Sequence, residues 1–312
     1  RNANQEYAYY RENELYYPYL HVMDDDVEEF LSGAVKMLTN ANPAVRYRNF
    51  YTWGERPFSD MTGAELVDSD WKRLYEHIGY VNVIISYVKE FESDPEEIRH
   101  RIAGEALFLR GWYYYMLVNL YAKPYSKETA GKDLGVPLNI TEFIEDKYFS
   151  RDPVEKVYEQ IVLDLKNAAD TLPDYPGEAG DVAKGAAYHY LAEAYLALAT
   201  ELGDDRELLQ QSILYATKVT ELHALMTERF GSRAKPGSGE AMNGVEAYYP
   251  DGDVFFDLFQ RGNLDYAEGN TEALWTLQND VTVWHNFGGS HFLPYAGSFS
   301  PVLREMRWKS EY

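Results

Sequence analysis

Arg101-Ile102-Ala103-Gly104-Glu105-Ala106-Leu107-Phe108-Leu109-Arg110-Gly111-Trp112-Tyr113-Tyr114-Tyr115-Met116-Leu117-Val118-Asn119-Leu120-Tyr121 is the stretch whose reading decides the fold. Ile102, Ala106, Leu109, Tyr113, Met116, Leu117 and Leu120 recur at three- and four-residue intervals, so the spacing predicts a helix with one buried face, with Glu105 and Arg110 off the stripe. Gly104 and Gly111 each weaken an isolated helix by about 1 kcal/mol relative to Ala, which makes sense where another helix packs closely against them. Pro124 then stops the helix.

Working outward, Asp152, Pro153 and Glu155 read as cap, first-turn and capping-box residues of a second helix carrying Val154, Val157, Tyr158, Ile161, Leu165, Ala168 and Leu172, closed by Pro173. After a polar bridge from Asp174 to Ala183, the residues Ala187, Leu191, Ala194, Tyr195 and Leu198 form a third apolar stripe, in a helix expected over 184–201. Upstream, Asp70 to Phe91 predicts a helix buried through Trp71, Leu74, Ile78, Val81, Ile84, Ile85 and Val88. Downstream, Leu209, Ile213, Ala216 and Val219 predict one over Asp205 to Met226. Asp24 to Leu38 reads as a short acid-started helix, and Asn42 to Thr62 as a loop. The pairs 70–91 with 101–121 and 152–172 with 184–201 are successive hairpins of tetratricopeptide type. Insertions such as Ala122 to Ser150 break a strict 34-residue period.

The order of motifs resembles the SusD/RagB family of glycan-binding outer-membrane lipoproteins. The resemblance is carried by Gly104-Glu105-Ala106-Leu107-Phe108-Leu109-Arg110, Gly135-Val136-Pro137-Leu138, Arg151-Asp152-Pro153-Val154, Asp164-Leu165 with Ala168-Ala169, Leu172-Pro173, Lys184-Gly185-Ala186-Ala187 and Tyr195-Leu196. It extends less specifically to Asn270-Thr271-Glu272-Ala273-Leu274-Trp275. It implies a mainly α fold: tetratricopeptide-like hairpins forming a right-handed superhelical scaffold, with irregular loops on one side. It also implies a single SusD-like domain over 1–312, with the scaffold mainly at 63–228 and a loop-rich binding region at 229–312. Family members continue further, so the chain is expected to be C-terminally incomplete. The function implied is capture of an oligosaccharide or other nutrient for import through a TonB-dependent transporter, by a lipid-anchored protein at the outer-membrane surface.

Composition narrows the partners. A formal charge of −22 disfavours nucleic acid and anionic membranes, which are bound through clustered Lys and Arg. The absence of cysteine removes disulfides, thiol nucleophiles and thiolate metal sites. No His-Glu-x-x-His motif or P-loop occurs, and neither a catalytic residue, a cofactor nor a metal site is expected. Asp24-Asp25-Asp26 lacks EF-hand spacing, and Asp251, Asp253 and Asp257 fit a solvated turn better than a cation site.

The 28 Tyr, 14 Phe and 6 Trp supply the chemistry of sugar binding, in which a flat ring meets the C–H face of a pyranose and neighbouring polar groups bond its hydroxyls. The Trp112 to Tyr115 run fits the core, so the functional expectation falls on loop residues. These are Asn49, Tyr51, Trp53 and Arg56 in the first loop, and Trp284, Asn286, Phe287, His291 and Tyr295 in a Gly-containing segment. By resemblance, Trp53, Trp284 and Tyr295 would form an aromatic arc. A helical glycoside hydrolase and a scaffold that binds protein alone are the alternatives.

Overall fold

In a computed structural model of the chain, the described residues are 23, 27–29, 49–50, 52–59, 63–65, 68, 70–143, 149–177, 181–199, 205–223, 274 and 306–308. They divide between two compact units, one of residues 1–73 with 279–312 and one of residues 74–278.

In the first unit, strand β1 (Val27–Glu29) pairs antiparallel with β2 (Met306–Trp308), Val27 opposite Trp308. The acid-started helix expected over Asp24 to Leu38 is therefore wrong at its described residues. Three residues of ladder pairing with a distant segment outweigh a helix signal that rested on local charge.

The second unit is built of consecutive helices: α1 (Asp70–Tyr87), which enters it at Leu74, with a 3₁₀ turn at Val88–Glu90, then α2 (Glu96–Tyr121), α3 (Val154–Thr171), α4 (Lys184–Leu198) and α5 (Arg206–Leu222). Side-chain pairs fix their directions. Asn82 meets Arg110 across α1 and α2. Gly104 lies against Thr171, Gly111 against Leu165, and Asn119 against Tyr158, so α2 and α3 are antiparallel. Ser212 donates to the Ala192 carbonyl and Gly185 lies against His223, so α4 and α5 are antiparallel too. No described helix is long and apolar enough to cross a membrane.

The glycines of α2 act as the sequence predicts. A Cβ on Gly104 would lie 2.7 Å from Thr171 Oγ1 and 2.9 Å from Leu172 Cγ, and one on Gly111 would lie 3.0 Å from Leu165 Cγ. The core beside them is Phe108, Tyr114, Leu117, Ile161, Leu165 and Leu191, each under 2 % exposed. Small residues of α4 (Gly185, Ala186, Ala187 and Ala194) are also buried, so that helix approaches its neighbours closely.

Four expectations are corrected. Arg110 is buried rather than off the packed face, while Ile102 is exposed, because α2 is covered on more than one side and its inner surface is wider than a single stripe. Ile84 of α1 is also exposed. Ile213 and Ala216 face out of α5, which packs instead through Ser212 and Tyr215. Asp152 does not cap α3: Pro153 stands at the cap position with no side-chain bond, and the Asp152 carboxylate accepts from Leu138 N at 2.8 Å.

That last bond belongs to a seam. After hydrogen-bonded turns between Ser126 and Asp133, the segment that follows α2 runs on from Leu134 as an extended strap rather than a free insertion. Gly135 N donates to Asp152 O (2.7 Å), and Arg151 donates to the carbonyls of Tyr121 and Gly135. Tyr75 Oη donates to Pro137 O, Asn82 Nδ2 to Asn139 O, and Ser86 Oγ to Glu142 Oε2. Tyr114 Oη both donates to Asn139 O and accepts from Asn139 N. The strap thus bonds to α1, α2 and the start of α3.

Candidate functional site

The loop that carries the predicted Asn49, Trp53 and Arg56 closes a helical turn. Trp53 N donates to Phe50 O at 3.1 Å and Gly54 N donates to Asn49 O at 2.8 Å. These two bonds are the paired closure of a Schellman helix end, which calls for a left-handed residue at its penultimate position, ordinarily Gly. Here the glycine stands one place later. Trp53 takes the left-handed position itself, with φ +52°, the one non-Gly residue described at positive φ.

A bulky residue there costs about 1–3 kcal/mol, and the surroundings hold it in place. Asn49 Nδ2 donates to Ser59 O at 2.6 Å and to Ser59 Oγ at 3.0 Å, while Ser59 Oγ donates to Arg56 O at 2.7 Å. Phe50, 3 % exposed, packs in a T-shaped pair with Phe58, ring centroids 5.1 Å apart. Ser59 forms an antiparallel bridge with Glu65. The indole of Trp53, above this pinned base, is 69 % exposed.

The geometry separates the predicted residues by role. Trp53 presents a ring to solvent. Asn49 is half-buried, with its amide engaged inside the loop, so it holds the platform. Arg56 is exposed and its guanidinium lies 4.0 Å from Glu65, both side chains in water. Tyr51, Trp284, Asn286, Phe287, His291 and Tyr295 lie outside the described residues, as do Asp251, Asp253 and Asp257. Sequence reading missed Ser59, the anchor of the loop. It also missed the order Trp53-Gly54, which after a helical turn places the larger residue where the smaller belongs.

A second polar cluster lies between α2 and α4. A hydrogen bond from His189 (Nε2 to Glu193 Oε1, 3.2 Å) holds the Glu193 carboxyl below its ordinary range, and Tyr115 adds to the effect. Burial pushes the Tyr115 and Tyr114 phenols well up, and the Tyr158 phenol up to about 12, so all three are neutral hydroxyls at physiological pH. Deeper, Arg110 donates through Nε and Nη2 to the two Asp164 oxygens (2.8 and 2.6 Å) and through Nη1 to Asn82 Oδ1 (3.0 Å). Burial raises the Asp164 carboxyl above the ordinary Asp range, an effect that Arg110 and Gln160 partly offset. No group of three or more metal-ligating side chains occurs among the described residues.

A family model for SusD-like proteins, described as starch-binding and associating with the outer membrane, matches residues 16–196. The chain belongs to the SusD-like family. SusD-like protein P2 of Formosa agariphila is 30% identical over 132 residues, 42% of this chain and 24% of that protein. Among solved structures, a SusD superfamily protein of Bacteroides thetaiotaomicron superposes with a TM-score of 0.51 at 24% identity, covering 68% of this SusD-like chain and 43% of its own. One from Bacteroides fragilis gives 0.52 at 22% identity, covering 71% and 46%. A laminarin-binding SusD-like protein gives 0.50 at 19% identity, covering 71% and 44%. The chain thus spans about a quarter of the curated relative and less than half of each of these structures, whose likeness bears on the fold.

Proposed function

We propose that this SusD-like chain captures oligosaccharide without chemically changing it, with Trp53 as an aromatic platform for a pyranose ring. One observation carries the reading: a residue type disfavoured in the left-handed region occupies a helix end where Gly54 is one position away, and its indole faces solvent. A helix end that needed only to terminate would place Gly at that position. The arrangement gives up local stability and holds a ring outward on a base fixed by Asn49 and Ser59.

The family's starch-binding description and a laminarin-binding relative of the same fold support carbohydrate as the ligand. The net charge of −22 favours neutral over anionic glycans. Trp284 and Tyr295, with Tyr51, Asn286, Phe287 and His291, complete the proposed ligand-binding set, and Arg56 offers donors to sugar hydroxyls. The helical hairpins serve as a tetratricopeptide-like superhelical platform within one SusD-like domain, the scaffold mainly at 63–228 and the binding loops at 229–312. In the intact protein, a lipid anchor would hold that platform at the outer-membrane surface. A TonB-dependent transporter would receive the ligand.

Calorimetric titration with neutral oligosaccharides derived from starch and laminarin tests this. Binding is expected in the millimolar to micromolar range, about 4–8 kcal/mol. Trp53→Ala is expected to weaken it by roughly 5- to 150-fold, in line with about 1–3 kcal/mol for loss of a stacking ring. Undiminished affinity in Trp53→Ala would remove the platform, and release of shortened sugars by the purified chain would refute capture without chemistry.

A further inference from the structure

The far side of α1 from the core carries an apolar ridge. Leu74, Ile78 and Val81 point inward, at most 4 % exposed, whereas Tyr80, Val83, Ile84 and Tyr87 are 66, 44, 40 and 43 % exposed. Those four stand at i, i+3, i+4 and i+7, so they line one face of the helix. Together they leave an apolar patch of roughly a few hundred Å² in water, within the range of the largest such patch on a monomeric protein, which is often functional. Phe91 in the following turn, and Ile98 and Ile102 one helical turn apart near the start of α2, are exposed as well.

The connection between α1 and α2 is acidic. Glu90, Glu92, Asp94, Glu96 and Glu97 are all exposed within eight residues. Lys89, Arg99 and His100 are the cations and potential cation in the same stretch, and His100 Nε2 sits 3.5 Å from Glu96. An apolar ridge ending in a negative rim selects what can lie on it. A second copy of a chain with net charge −22 would bring like charge against the rim, and an anionic lipid surface would do the same.

We propose that this face of α1 docks a polypeptide helix of opposite character: apolar residues at the same i, i+3, i+4, i+7 spacing, flanked by Lys and Arg. The four exposed side chains form a ridge of the kind that interdigitates with a partner helix, and the acids around Glu92 would meet the partner's flanking cations. Apolar contact supplies the affinity, and charge sets orientation and partner choice.

The probe is a fluorescein-labelled helical peptide of roughly 18 residues, long enough to hold helix, with Leu at those spacings and Lys elsewhere. A Leu/Glu counterpart is the control. Fluorescence anisotropy with the full 312-residue chain is expected to show saturable binding of the basic peptide alone. Binding should weaken roughly tenfold or more in Val83→Ser/Ile84→Ser, and should weaken with added salt in the wild type but much less in Glu92→Gln/Asp94→Asn/Glu96→Gln/Glu97→Gln. All six positions are exposed, so circular dichroism of both variants should match the wild type and confirm that folding is intact. Equal binding of both peptides, or unchanged affinity in the serine variant, would overturn the proposal. So would sedimentation showing wild-type self-association that the serine variant abolishes, because the occupant would then be a second copy. Oligosaccharide titration reports separately on the Trp53 loop.

Discussion

Replacing Arg110 and Asp164, singly and together, isolates what their pairing contributes. Asp164 is 1 % exposed and accepts three hydrogen bonds, two from Arg110 at 2.8 and 2.6 Å and one from Gln160 at 2.9 Å. Arg110 is 7 % exposed and also donates to Asn82. Arg110→Met strands a buried carboxylate and Asp164→Leu strands a buried guanidinium, each expected to cost about 3–5 kcal/mol. The double substitution removes both charges and fills the space with apolar side chains, so what remains is the lost partner of Asn82 Oδ1 and of Gln160 Nε2, about 1–3 kcal/mol in all. The double variant should therefore be no less stable than either single variant, with a coupling energy of at least about 3 kcal/mol. Urea unfolding followed by far-ultraviolet circular dichroism, at equal denaturant slope, measures all four corners of the cycle. Additive losses, the double costing the sum of the singles to within about 0.5 kcal/mol, would refute the claim that these residues act as one unit.

Glycines offer a paired test with opposite signs. Gly79→Ala adds a Cβ with nothing within 4 Å and should raise stability by about 0.4–1 kcal/mol, whereas Gly104→Ala drives a Cβ against Thr171 and Leu172 and should lower it by about 1–3 kcal/mol, both read from urea midpoints. Asn49→Ala removes the donors to Ser59 and should loosen the Trp53 platform, seen as weaker oligosaccharide binding in calorimetry with no change in the urea midpoint of the helical unit. For Glu193 the folded carboxyl is held below its ordinary value by His189, so it contributes stability that is present above the unfolded value and lost as pH falls through the folded one. Glu193→Gln should accordingly lower the urea midpoint at pH 6 and converge with the wild type below the ordinary Glu range; a difference that persists undiminished in acid would contradict that assignment.

The helical hairpins were legible because their signals are local and repeated. Gly104 and Gly111 announced close packing before any neighbour was known, and Pro124 and Pro173 marked where helices end. The Trp112 to Tyr115 run fell in the core for its first three residues, with Tyr115 half-buried. Where the reading failed, a distant segment had decided the outcome. Asp152 has the residue type of a helix cap, yet its carboxylate bonds Leu138 N, and nothing within α3 could announce that. Arg110 looked like a surface residue because a single stripe has no term for a carboxylate supplied by another helix. At the candidate site the loop and its exposed aromatic were readable from Trp53, Gly54 and Pro57. The left-handed backbone at Trp53 was not, since it depends on two carbonyls held behind it.

Stacked helical hairpins can unravel one unit at a time, because each touches only its neighbours. The extended strap after α2 works against that. Through Tyr75, Asn82 and Ser86 it grips α1, through Tyr114 it grips α2, and through Asp152 it ends at the threshold of α3. Opening either hairpin would break bonds that the other also uses. Amide protons from α1 to α3 should therefore exchange in a single step with a shared opening free energy, while those of α5, which the same connection reaches only through Lys127 Nζ and the Asp205 carboxylate at its start (2.9 Å), exchange sooner.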